Sequence, residues 1–323
     1  MEKILVIGAN GQIGSELVEA LAKQHGAANV IAADVGPRSL YGAVCYQTVD
    51  VLDSNLVGHL IDRFGITQVY QLAAMLSVTG EAAPLKAWNL NMNGLLNILE
   101  IARLRGEAGK PIKVFWPSSI AAFGPGTPAV DTPQQTIMDP STIYGISKLA
   151  GERLCEYYFS KFGVDVRSIR YPGIISYKSP PGGGTTDYAI AIFHAALRGE
   201  TYQCFLGPQT TLPMIYMPDA IRATIELMAA PAGQVRVRSS YNVAGVSFSP
   251  AELAEAIRRQ RTDFRISYAP DQRQAIADSW PQSLDDSAAA ADWGWRAQVG
   301  LPELVADMLA NIRVAEEALP HAA

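Results

Sequence analysis

Tyr144 and Lys148 stand four residues apart in the run YGISK, inside a stretch of helical periodicity, so both side chains project from one helix face. A phenol titrates near about 10 and is a poor base at neutral pH, but a neighbouring ammonium favours the phenolate. Tyr144 therefore reads as a general base and Lys148 as the group that lowers its pKa. Upstream, Ser118 and Ser119 follow an apolar run of strand length, which sets a hydroxyl at the carboxyl end of a sheet, where open α/β folds bind ligands. One of the two serines is expected to hold a substrate hydroxyl while the base removes its proton. This is the chemistry of secondary-alcohol oxidation, and it needs a hydride acceptor.

The N-terminus offers a place for one. Gly8, Gly11 and Gly14 in GANGQIG sit between an apolar strand and an amphipathic helix. A glycine turn there lets the backbone approach a pyrophosphate, whose charge rests on the helix N-terminus. Asp34 lies 20 residues after Gly14, at the end of the second expected strand, where a carboxylate accepts from the adenosine ribose hydroxyls and repels a 2′-phosphate. NAD is thus expected over NADP, unless Arg38 neutralises that carboxylate. Asp50, with Val51 closing the third strand, reads either as a partner of the adenine amine or as part of a helix cap with Asp53 and Ser54.

These groups need a frame that brings strand ends together. Strand-length apolar runs at 3–8, 29–34, 43–49, 68–72, 113–118 and 164–171 alternate with helical patterns at 12–24, 54–64, 83–104 and 141–162. The alternation predicts an α/β protein, a doubly wound parallel sheet of the Rossmann kind, with strands apolar on both faces. Residues 177–186, with two prolines and three glycines, read as a loop over the site. Beyond it, helices near 187–198, 219–228, 250–261 and after Pro302, with the stretch 212–216, predict a smaller cap. The expected division is a dinucleotide domain at 1–175 and a substrate-binding cap at 176–323, with segments of the cap returning to the main sheet.

Composition narrows the class. The chain has 323 residues, 49% hydrophobic, and a formal charge of -5 with no basic run, which sets aside nucleic acid and anionic membranes. Cys45, Cys155 and Cys204 are odd in number and far apart, simplest as core thiols in a reducing compartment. With His25, His59, His194 and His321 they show no zinc spacing, so no metal is expected. The residues after Met1 lack the long apolar run of a signal peptide or membrane span, and a cytoplasmic protein is expected.

GxxGxxG, SSIAAFG and YGISK, in this order and spacing, resemble the extended short-chain dehydrogenase/reductase family, which includes the sugar-nucleotide epimerases. LAAMLSVTGE, NMNGLLNILE, RYPGIISYKSPPGGGTTDYA, LPMIYMPDA and WPQSLDD are more closely similar to the short-chain L-threonine 3-dehydrogenases. The resemblance covers nearly the whole chain. It implies an NAD-dependent oxidoreductase of threonine catabolism that oxidises C3 of L-threonine to 2-amino-3-oxobutanoate. It also implies Ser119 rather than Ser118 as the catalytic serine, beside Tyr144 and Lys148. Cofactor contacts are implied at Gln12, Ile13, Leu72, Ala73, Ala74 and Tyr171, with Lys148 on the nicotinamide ribose and Asn91 steadying the active-site backbone. Asn91 reads equally as a buried amide satisfying a helix.

The same resemblance gives Ser77, Gly184, Thr185 and Thr186 to the amino-acid pocket, although Ser77 also reads as a loop hydroxyl and Thr186 as a helix cap. Asp219 reads as a helix start. A homodimer is implied, through Leu95, Leu96 and Leu99 on one helix and Leu149, Leu154, Tyr157 and Tyr158 on another, residues that pack on the sheet in the alternative reading. Two other functions share these motifs: a sugar-nucleotide epimerase or dehydratase, and a non-catalytic NAD(H)-sensing protein. The first needs converging cations for a diphosphate, and the loop at 177–187 offers only Lys178. The second has no use for a poised base.

Overall fold

The computed structural model describes residues 2–36, 42–182 and 184–313, so Arg38, Gly183 and His321 lie outside the described residues. Six strands open the chain: β1 (Ile4–Ile7), β2 (Val30–Asp34), β3 (Cys45–Thr48), β4 (Gln68–Gln71), β5 (Lys113–Ser119) and β6 (Val166–Tyr171). The later ones are β7 (Gly173–Ile175), β8 (Tyr202–Cys204), β9 (Leu212–Tyr216), β10 (Tyr241–Asn242), β11 (Val246–Phe248) and β12 (Ile266–Tyr268). The main sheet runs β10-β6-β5-β4-β1-β2-β3, every pair parallel. Its outermost strand, β10, comes from the far side of residue 175. Strands β11, β9 and β7 make a second sheet, and β12 pairs with β8.

The pleat sends alternate residues to opposite faces. Ile4, Val6, Val30, Ala32 and Phe115 enter one core, with Leu17, Leu21, Ala220 and Leu227. Leu5, Ile7, Ile31, Val114 and Trp116 enter the other, with Leu60, Ile98 and Cys155. Each such side chain removed from water contributes roughly 1.5–3 kcal/mol. β6 departs from the expected apolar strand. Its Arg167 and Arg170 are almost wholly buried, Arg167 donating to the carbonyls of Leu227, Met228 and Ala230 that end a helix.

The helices up to the second sheet are α1 (Gln12–His25), α2 (Ser54–Phe64), α3 (Ser77–Ala82), α4 (Pro84–Trp88), α5 (Gly94–Glu107) and α6 (Ile143–Phe162). They are followed by α7 (Tyr188–Arg198), α8 (Met217–Ala229), α9 (Pro250–Arg258), α10 (Arg273–Asp278), α11 (Ser287–Trp293) and α12 (Leu301–Asn311). The single helix expected over 83–104 is instead α4 and α5 joined by a π-helical turn at Asn89–Asn93, and Ser77 opens a helix of its own rather than lying in a loop. α6 starts at Ile143 because the Thr142 side chain accepts from Gly145 N at 3.0 Å, and it stops at Gly163 in the left-handed region.

Some other expectations change. Asp219 lies in the first turn of α8, but its buried carboxylate accepts from the Gln298 and Val299 amides and pairs with Arg222, so it ties the C-terminal segment down. Cys45 is exposed, whereas Cys155 and Cys204 are core thiols. Leu95, Leu99 and Tyr158 are buried in the sheet-facing core and Leu96 and Leu154 pack against it, while Tyr157 is exposed.

Candidate active site

Gly8 ends β1 with φ +82, and a Cβ on it would lie 2.6 Å from Ala73 N; one on Gly14 would lie 2.2 Å from the Gly8 carbonyl oxygen. Only glycine fits either position. The turn they make delivers α1 with no side-chain cap and no acidic residue in its first turn, so its leading amides face an anion without competition. Gln12 adds a buried side-chain nitrogen without a hydrogen-bond partner. The cradle fits a dinucleotide pyrophosphate. Asp34 stands beside it, its carboxylate accepting from Asn10 N at 3.0 Å, which ties the end of β2 to the glycine turn. Asp50 turns its own chain by accepting from Leu52 N, while Asp53 caps α2 through Leu56 N.

The cleft that begins at this turn continues along the carboxyl ends of the parallel strands. Gly8, Gly11, Gln12, Ile13, Gly14, Leu72, Ala74, Ser119, Tyr144, Lys148 and Tyr171 line it, and so do Ser77, Gly184, Thr185 and Thr186 at its far end. Asp34, Asp50, Val51, Ala73 and Asn91 are not on its wall. Ala73 packs against Gly8, and Val51 packs beside Gly94. Asn91 accepts from Met75 N at 2.8 Å and donates to the Met75 carbonyl and to Ser147, clamping the loop ahead of Ser77 onto α6. The buried amide is thus satisfied by the loop and by α6 rather than by the helix it sits in.

The strand pleat separates the two serines. Val114, Trp116 and Ser118 face α6, and the Ser118 hydroxyl donates to Glu152 at 2.6 Å. Ser119 is half-buried, accepts from Ala121 N at 3.2 Å and hydrogen-bonds the Tyr144 phenol. Burial pushes that phenol up to about 12, against the pull of the Ser119 bond. Lys148 does not lower it as the spacing suggests. Its ammonium donates to the Pro117 carbonyl at 2.6 Å and sits 4.6 Å and 5.3 Å from the ring centres of Trp116 and Tyr144, not at the phenol oxygen. Burial draws Lys148 itself down to about 7, opposed by the fields of Cys155 and Glu152.

At the far end the Thr185 hydroxyl is buried with no partner, and Ser77 is 5% exposed. Thr186 is not a helix cap: that position belongs to Asp187, whose carboxylate accepts from Gly184 N at 2.8 Å. Lys178, the cation expected near the loop, turns away to Glu19 at 2.5 Å. Lys148 is therefore the one cationic side chain on the cleft wall among the described residues. Asp187 and Trp280 also line the cleft, and sequence reasoning missed both. Asp187 lies within RYPGIISYKSPPGGGTTDYA and could have been found by its charge; Trp280 opens WPQSLDD, but nothing local to that motif says that its distant segment reaches the cleft. No group of three or more His, Cys, Asp or Glu residues arranged to hold a metal occurs among the described residues.

The model of the NAD dependent epimerase/dehydratase family matches residues 4–244, and the chain belongs to that family. It is an NAD-dependent enzyme, and NAD is its cofactor. Among solved structures, it is similar to a GalE-like L-threonine dehydrogenase from Cupriavidus necator in holo form, 61% identical, with a TM-score of 0.94 over 96% of this chain and 100% of that one. A monomeric L-threonine 3-dehydrogenase from a metagenome is 44% identical, with a TM-score of 0.91 over 96% of this chain and 98% of its own. An uncharacterized epimerase/dehydratase from Staphylococcus saprophyticus is 44% identical over 322 residues, 98% of this chain and 99% of its own.

Proposed function

We propose that the chain oxidises the C3 hydroxyl of L-threonine with NAD, yielding 2-amino-3-oxobutanoate. One observation carries the choice of substrate over a sugar nucleotide. The end of the cleft beyond Tyr144 offers the hydroxyls of Ser77, Thr185 and Thr186 and the carboxylate of Asp187, with no free arginine or lysine among the described residues. A diphosphate buried there would lack counter-charges, whereas a small zwitterion can set its ammonium toward Asp187 and its carboxylate toward hydroxyl donors. The similarity to L-threonine dehydrogenases at 61% identity supports the same reading.

Ser119 holds the C3 hydroxyl, Tyr144 takes its proton, and Lys148 holds the nicotinamide ribose. Bound NAD would supply the hydride acceptor and a positive ring that favours the phenolate. Asp34 holds the adenosine ribose and excludes NADP. The enzyme works in a reducing, cytoplasmic setting, in keeping with three free cysteines. Its partner is a second copy of itself: α4 packs beside α6, and their outer faces leave Leu85, Trp88, Ile146 and Tyr157 exposed. Sedimentation of the purified protein should give a dimer, and a monomer would sink that part.

The decisive assay follows NADH formation on adding NAD with L-threonine, with D-threonine, L-allo-threonine and L-serine as comparators and UDP-glucose as the competing class. L-threonine should be oxidised and its stereoisomers much less so. L-serine should lose the methyl contact, worth about 1–3 kcal/mol. Interconversion of the UDP-sugar without oxidation of threonine would replace the substrate while leaving the family intact.

A further inference from the structure

Three residues at successive turns of one face of α6 grip three consecutive residues at the end of β5. Lys148 donates to the Pro117 carbonyl at 2.6 Å, Glu152 accepts from the Ser118 hydroxyl at 2.6 Å, and Tyr144 shares a hydrogen bond with Ser119. Glu152 is 0% exposed and is not itself on the cleft wall, which it reaches only through Ser118. Its charge is met by Arg170 of β6, which donates from Nε at 2.9 Å and from Nη2 at 2.7 Å. The rest of the guanidinium is spent on the Gln134 carbonyl, the Asn242 side chain of β10 and the Met138 sulfur.

A buried ion pair gives up the hydration of both charges and is a weak source of stability. Its partners here show what it is for. Both carboxylate oxygens are held by an arginine fixed at five points, which leaves Glu152 no freedom to follow α6 alone. The Ser118 hydroxyl is thereby nailed to a rigid acceptor, and the strand end on either side of it carries the carbonyl that seats Lys148 and the hydroxyl that meets Tyr144. A displacement of about 1 Å at a reacting group can cost on the order of 100-fold in rate.

We infer that Ser118, Glu152 and Arg170 form a positioning relay that fixes the register of β5 against α6, and so the geometry of Ser119, Tyr144 and Lys148; Ser118 lines the cleft, but its hydroxyl is committed to Glu152. The inference rests on the roles proposed above for those three residues. It assigns Ser118, the serine set aside as catalyst, a separate part in the same reaction.

Two readouts test it. In the protein alone, amide exchange across residues 118–122 should quicken by about tenfold in Ser118→Ala and Glu152→Gln and return to the wild-type rate in Ser118→Thr, which restores the hydroxyl. In the assay with NAD and L-threonine, Ser118→Ala should lower kcat by about tenfold or more with KM for NAD unchanged, and Ser118→Thr should recover it. Ser118→Ala leaves the Glu152–Arg170 pair intact, so it stays informative if Glu152→Gln fails to fold. Exchange and kcat both unchanged in Ser118→Ala, beside a damaging Ser119→Ala, overturn the relay alone. A harmless Ser119→Ala and Tyr144→Phe overturn the proposed catalytic roles, and exchange quickened in Ser118→Ala but not in Ser118→Thr still upholds the grip on the strand end.

Discussion

Burial holds the Tyr144 phenol at about 12 and draws the Lys148 ammonium to about 7, so the free protein keeps the proposed base protonated at neutral pH. A base must lose its proton before it can act. kcat/KM should therefore rise as pH climbs from neutrality toward the phenol's range, and bound NAD should pull that rise to lower pH. Tyr144→Phe should abolish the rise and lower kcat by roughly 100-fold or more while leaving NAD affinity nearly intact. Steady-state kinetics beside a binding titration will separate the two, and a variant within a few-fold of wild type would move the base elsewhere. Asp34 offers a second residue-scale test. Replacing it with Ser should weaken NAD and admit NADP, because its carboxylate lies beside the glycine turn through Asn10. An unchanged cofactor preference would mean that β2 does not end at the ribose.

Elements meet at this site with little slack. α6 lies so close to β5 and the turn after it that a Cβ at Gly151 would come within 2.3 Å of the Trp116 ring, and one at Gly145 within 2.1 Å of the Ala121 carbonyl oxygen. Helical alanine is otherwise favoured over glycine by about 1 kcal/mol. At Gly151 the clash should dominate: Gly151→Ala is expected to destabilise the fold by about 1–3 kcal/mol, since Trp116 is buried and has nowhere to go. Activity should fall further than the loss of folded protein explains, because the helix that moves carries Tyr144 and Lys148. Urea denaturation paired with kcat per folded molecule measures both, and a stabilised variant would show that α6 has room. The π-helical turn at Asn89–Asn93 is another such constraint, since it presents Asn91 to Met75 and Ser147 together.

Across the molecule, buried tyrosines set the alkaline limit of stability. Burial raises Tyr171, Tyr188 and Tyr216 above their ordinary value, and Tyr241 to about 12. The unfolded chain releases these protons near about 10 while the folded one retains them, so their stabilisation is present below that pH and is lost as pH rises through the folded values. Lys148 acts the other way. Its folded value is depressed to about 7, so its buried ammonium destabilises fully below that pH, and the penalty fades as pH climbs to the ordinary lysine range. The urea midpoint should therefore climb above neutrality, peak before about 10 and fall beyond it, with the climb flattened in Lys148→Met. A midpoint still rising above that point would mean that the tyrosines ionise without unfolding the chain.

The alternation of apolar runs and helical patterns is local, and it was enough to predict the parallel sheet, the glycine turn and the shared helix face of Tyr144 and Lys148. Gly8 and Gly14 were legible because backbone sterics at a tight turn depend on few neighbours. Contacts between distant segments left no such mark. The alternative reading of Thr186 as a cap fell when α7 took Asp187 for that position, and Lys178 looked available until it met Glu19 of α1. The choice between Ser118 and Ser119 was made in sequence by resemblance; only the fold shows that a period of two sends one hydroxyl to Glu152 and its neighbour to the phenol. The sense of the Lys148 effect was decided by tertiary structure as well. Sequence spacing shows that an ammonium is near a phenol, but desolvation depends on everything packed around them, and here it governs both groups.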